Sequence, residues 1–165
     1  MSTATAYELI RSRRSIFSFE DRPVPRPLLQ RCLQAATWAP NRGLTQPWRF
    51  VVLPPAAVLD APDEATTLAL AAAPVRLAVL QRLAPDPAVR DADRLAVGAA
   101  VQNLLLCAWD EGVGGLWATA GPLATAAAGA GADEVVAALL ALGYAESVPP
   151  VRPRRRAQEL TTWPQ

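Results

Sequence analysis

Arg11, Arg13 and Arg14, followed at once by Ser15, are the first residues of this chain whose types and spacing bear on chemistry. A guanidinium suits bidentate contact with a phosphate, and a serine hydroxyl adds a neutral hydrogen bond. The same arginines close a short helical segment, where cations ordinarily compensate the helix dipole. A second basic group, Arg152 with Arg154, Arg155 and Arg156, lies in a Pro-rich tail, and such tails are ordinarily solvated. The chain has no histidine, which excludes His-based triads, zinc sites that need imidazole and a histidine general base. Cys32 and Cys107 are far apart in sequence and form no CxxC pattern, so each reads as a buried free thiol in a reducing cytoplasm.

Composition narrows the classes further. The 165 residues correspond to one ordinary domain, expected to span the whole chain, 1–165. Apolar residues make up 52%, enough for a large buried fraction or a subunit interface. Charged residues make up 19% with a net charge of +1, which argues for neither nucleic acid nor an anionic membrane as partner. Met1 to Tyr7 has no charged n-region and no long apolar stretch, so no signal peptide is expected. No apolar run reaches the ~20 residues that span a bilayer.

The elements that must position these residues are legible in part. Thr5-Ala6-Tyr7-Glu8 reads as a capping box opening a helix that runs to about Arg13. Ser15 to Phe19 alternates as a short extended piece. Pro27 suits the start of a second helix with Leu28, Leu29, Cys32, Leu33 and Ala36 as its apolar stripe, ending near Trp38 because Ala39 precedes Pro40. Strands are expected at Trp48–Leu53, Pro74–Leu80 and Gly115–Ala118, with weak helices between Ala56 and Ala73 and a helix at Pro122–Ala128. Asp91–Glu111 is the longest helical segment and is apolar nearly all round, as in a central helix or one packed on its counterpart in a dimer. Val135–Leu142 fits a helix by propensity and a buried strand by its bounded apolar run. The mixture predicts an α+β architecture.

Four segments in order resemble the nitroreductase family. They are Arg13-Arg14-Ser15-Ile16-Phe17-Ser18-Phe19 with Pro23-Val24-Pro25; Ala39-Pro40 with Gln46-Pro47-Trp48-Arg49-Phe50-Val51-Val52; Ala99-Ala100-Val101-Gln102-Asn103-Leu104-Leu105-Leu106 with Gly112-Val113-Gly114; and Leu142-Gly143-Tyr144 with Arg154-Arg155 before Trp163. The short length is similar to the minimal bacterial NAD(P)H nitroreductases. The resemblance implies a central, mostly antiparallel sheet flanked by helices, in an intertwined homodimer with FMN between the subunits. It further implies hydride transfer from NADH or NADPH through FMN to a small acceptor such as a nitroaromatic or quinone. The flavin then carries the chemistry and no catalytic side chain is required.

Residue by residue, the resemblance assigns Arg13, Arg14, Ser15 and Arg154 to the FMN phosphate, with Arg152 nearby. Trp38 and Arg42 fall in the loop that a partner subunit would bring to the flavin; core packing at a helix end is the plain alternative for Trp38. Leu44 stands where larger relatives carry an asparagine and cannot donate to a flavin carbonyl. Trp117, Ala118 and Thr119 match a strand end beside the isoalloxazine ring, or else form an ordinary buried edge. Trp48 is expected in the core. The connections that would hold a lid are short, so a reduced lid and an open flavin face are expected. Two other readings stay open: a specialised branch of the family with another substrate, and a non-catalytic flavin-binding or flavin-storing protein.

Overall fold

The structure is a computed structural model that describes residues 5–164. Met1–Ala4, part of the stretch in which no signal peptide is expected, lies outside the described residues. The chain forms helices α1 (Ala6–Ser12), α2 (Arg26–Thr37), α3 (Glu64–Ala72), α4 (Pro87–Asp110) and α5 (Pro122–Ala127). Its strands are β1 (Trp48–Val52), β2 (Val75–Arg82), β3 (Gly114–Ala118) and β4 (Glu134–Gly143). The strands make one sheet in the order β1-β2-β4-β3, antiparallel throughout. This is the expected α+β arrangement.

Both faces of the sheet are covered. Val75, Leu77 and Val79 of β2 and Ala138, Leu140 and Leu142 of β4 face α2 and α4. Ala78, Leu80, Leu139 and Ala141 face the other way, against α3, α5 and the segment around Ile16 and Phe19. This two-sided burial settles the ambiguous Ala/Leu run as the strand β4: a strand buried on both faces reads as a continuous apolar run. Trp48 packs half-buried against the α2–α4 side, near the expected core.

Local chemistry explains most boundaries. The Thr5–Glu8 capping box forms in both directions and opens α1. The helix expected from Asp91 starts earlier, at Pro87, because the Asp86 side chain accepts the Ala88 N–H at 2.9 Å and proline suits the first helical position. α4 is buried along Ala96, Val97, Ala100, Val101, Leu104, Leu105 and Ala108, whereas Leu95 is 78% exposed. Its near-uniform apolarity therefore does not mean burial on every side within one chain. Among the described residues no helix is long and apolar enough to cross a membrane.

Gly143 ends β4 against a tight corner. A Cβ there would lie 2.7 Å from Pro74 Cδ and 2.9 Å from Phe19 Cδ1, neither of which swings away easily. Gly143→Ala is expected to cost about 1–3 kcal/mol through overpacking. Gly98→Ala, whose Cβ would meet Trp117 at an ordinary 3.8 Å, is expected to be neutral or stabilising. Urea unfolding checks both, and equal midpoints for Gly143→Ala and the parent would contradict this packing.

Candidate functional site

β3 is an edge strand, and α1 delivers its basic end to that edge. Ser15 bridges Gly115 in parallel, and the Ile16 N–H donates to the Gly115 carbonyl at 3.2 Å. The carbonyl of Gly115 thus points away from β4. Alternation along the strand turns the N–H and C=O of Trp117 to the same outer side. No backbone bond to Trp117 occurs on that side among the described residues.

The two arginines before Ser15 differ sharply. Arg14 Nη1 donates to the carbonyls of Arg11 (2.7 Å), Ser12 (2.9 Å) and Arg13 (2.9 Å). It satisfies the orphan carbonyls that end α1, the ordinary work of a cation at a helix C-terminus. Arg13 is half-buried, and its guanidinium has no acid partner or acceptor among the described residues. Burial, then the charges of Arg14 and Arg154, push its pKa down. It nevertheless stays protonated, as guanidinium groups in proteins do. Arg154 is therefore drawn from the tail into electrostatic range of Arg13, 141 positions away in sequence. Arg152 and Arg154 are both exposed in that tail.

Farther along β3, Ala118 is buried toward α3 and α5, while Trp117 turns its ring toward α4 above Gly98 and Thr119 is exposed. A cavity of about 650 Å³ opens there, bordered by Trp117, Thr119, Gly98, Gln81, Arg90 and Arg94. Arg90 and Arg94 escaped the sequence reading. On one helix they look like solvated surface charge, and only the arrival of β2, β3 and β4 makes them a wall.

Trp38 and Arg42 are not brought to this place. Both are exposed in the connection between α2 and β1, the edge strand opposite β3, and neither borders the cavity. Their loop is anchored by the Thr45 hydroxyl donating to the buried Asp93 carboxylate at 2.6 Å, whereas α1 meets α4 where Trp109 Nε1 donates to Ser12 Oγ at 2.9 Å. Asp93 and Trp109 are about 24 Å apart along α4. At 80% exposure Trp38 is not core. The loop also carries three positive φ angles, at Gly43 (59°), Leu44 (55°) and Gln46 (45°). Such strain in non-glycine residues gathers where a surface is shaped for a partner or ligand.

Comparison with known proteins then decides the family. The model of the Nitroreductase family matches residues 10–93 and 59–144. YfhC of Bacillus subtilis (strain 168), provisionally named an NAD(P)H nitroreductase, is 31% identical over 172 residues, covering 89% of this chain and 88% of its own. The chain belongs to the nitroreductase family. A nitroreductase-like family protein from Bacillus cereus superposes with a TM-score of 0.85 at 28% identity, over 99% of this chain and 98% of that one. A provisionally assigned nitroreductase from Exiguobacterium sibiricum 255-15, solved in complex with FMN, shares the fold with a TM-score of 0.86 at 18% identity, over 99% of each chain.

Within this nitroreductase-family fold, β2 and α4 are joined by Leu83–Asp86 alone, with no helix between them. α3 packs on the sheet face opposite α4. The thiols are neighbours despite their sequence separation: burial first, then Cys107, pushes Cys32 up to about 12. Cys32 is thus held as an inert thiol. Peptide mapping after alkylation of the native protein at pH 8 is expected to leave Cys32 unmodified, and to find both cysteines modified after unfolding. Rapid native labelling of Cys32 would contradict its burial.

Proposed function

We propose that this protein is an FMN-dependent oxidoreductase, built as one domain and acting in the cytoplasm as a homodimer. It passes a hydride from NADH or NADPH to a small nitroaromatic or quinone-type acceptor. The observation that carries this reading is Arg13: half-buried, beside Arg14 and Arg154, without a carboxylate, at the open edge of β3. A charge set of that kind is completed by an anion, and the FMN phosphate is the anion that the family's fold favours.

FMN, when bound, supplies two-electron chemistry: a hydride arrives from reduced nicotinamide and leaves with the acceptor, which takes its proton from water. The chain's own residues bind and orient. In this reading Arg13, Ser15 and Arg154 hold the phosphate, and Arg14 fixes the turn that presents them. The Trp117 N–H and the Thr119 hydroxyl lie along the ring edge, with Ala118, whose backbone groups face β4, between them. Trp38 and Arg42 act from a second copy, since their own loop and the basic end of α1 are tied to opposite ends of α4. A second copy also gives cover to Leu95 and Trp163, which are 78% and 77% exposed in one chain.

The test is spectroscopic. The purified protein is expected to be yellow or to bind FMN on titration, to bleach with NADH or NADPH under anaerobic conditions, and to recover colour with a quinone. Arg13→Gln and Arg154→Gln are expected to weaken FMN binding about tenfold or more, the scale of a charge-assisted hydrogen bond. Arg152→Gln is expected to change it by less. A yellow protein that will not bleach supports the storage reading instead. Failure to bind FMN, or full FMN affinity in Arg13→Gln, contradicts the assignment.

A further inference from the structure

We propose that Arg94 makes the cavity beside Trp117 selective for single-ring aromatic acceptors that carry a carboxylate. This deepens the function proposed above and rests on it. The cavity is about 650 Å³, a size that holds one small molecule and part of a flavin edge. One border is the Trp117 ring with Val97, an apolar surface for an aromatic acceptor.

The polar wall is unevenly committed. The Gln81 amide donates to the Arg90 carbonyl at 2.9 Å. Arg90 Nε donates to the Ala84 carbonyl at 3.1 Å and Nη2 to that of Pro85 at 3.4 Å, so Arg90 serves the turn before α4. The Asp93 carboxylate is occupied by Thr45. Asp91 also borders the cavity but makes no ion pair with Arg94. Arg94 borders the cavity and has neither a hydrogen bond nor an ion pair among the described residues, so its donors are free.

Spacing sets the ligand's length. Gly98 lies under the Trp117 ring, and Arg94 is one helical turn away, about 6 Å along α4. That is roughly one para-substituted benzene ring. A group at the β3 edge to be reduced and a carboxylate at Arg94 fit the two ends of such a molecule. The guanidinium fork matches a carboxylate bidentately, which a neutral alcohol cannot reproduce. Because Arg94 is exposed, the expected gain is modest, about tenfold.

The test is calorimetric titration of the oxidised, FMN-loaded protein with 4-nitrobenzoate and with 4-nitrobenzyl alcohol, with no reductant present. The parent is expected to bind the carboxylate about tenfold tighter than the alcohol. Arg94→Gln should bring the two within twofold by weakening only the carboxylate, and Arg94→Lys should restore part of the difference. Equal binding by the parent, or a preference that survives Arg94→Gln, overturns the proposal. So does the pattern, in parallel titrations with the oxidised nucleotides NAD+ and NADP+, in which Arg94→Gln weakens only the nucleotide, which would give Arg94 to the reductant's phosphates. Binding is read without turnover, so a protein that is not bleached by NAD(P)H counts against the proposed function and leaves this comparison to be decided separately.

Discussion

Two arginines from opposite ends of the chain lie within electrostatic range of each other near an open strand edge, with no ion-pair partner among the described residues. The chain as a whole is nearly neutral, at +1, and among the described residues its other buried or half-buried arginines are met: Arg14 by the carbonyls of Arg11, Ser12 and Arg13, and Arg76 by those of Pro54 and Ala57. Arg13 is the exception. Half-buried and flanked by like charge, it is held at a cost that an incoming anion reverses. The rest of the structure serves this placement. The capping box starts α1 in register, Arg14 closes its end, and Ser15 is pinned to Gly115 before the chain dives under the sheet at Ile16, which is fully buried.

α4 is the beam on which the separate pieces are hung. Trp109 near its end holds Ser12 and so α1; Leu105 packs over Gly115; Gly98 leaves room for Trp117; Asp93 near its start holds Thr45 and the strained loop. The basic cluster and the Trp38–Arg42 loop therefore sit at fixed, distant stations along one rigid element. The homodimer proposed above would bring the loop of one copy toward the basic cluster of the other. The exposed apolar residues Trp38, Leu44 and Leu95 fit that arrangement, since large apolar groups left bare on one chain mark contact surfaces.

The elements governed by neighbours in sequence were legible. Thr5 and Glu8 announced α1, Pro27 and the residue before Pro40 bounded α2, and Gly112 and Gly114 closed α4. Tertiary burial decided the others. β4 lost its two-residue period because both faces are covered, so its composition pointed equally to a helix. Asp86-Pro87 is a helix start that a reading based on apolar spacing passed over. At the site, Arg13 and Arg14 look alike as sequence, yet one caps a helix and the other waits unpaired. The difference is set by where Arg154 and the β3 edge arrive. Trp38 could have been core or surface by type alone. Arg94 had no signal, because a cavity wall needs three strands and a helix to exist.

The central claim is that an anionic cofactor lies along the outer edge of β3, with its phosphate at Arg13 and its ring toward Thr119. Hydrogen–deuterium exchange with and without FMN tests this most directly. The prediction is slowed exchange at the amides of Ser15, Trp117 and Thr119, together with the 41–46 loop of the other copy, and little change in α3 or α5. Unchanged exchange along β3, with protection elsewhere in the chain, would contradict it.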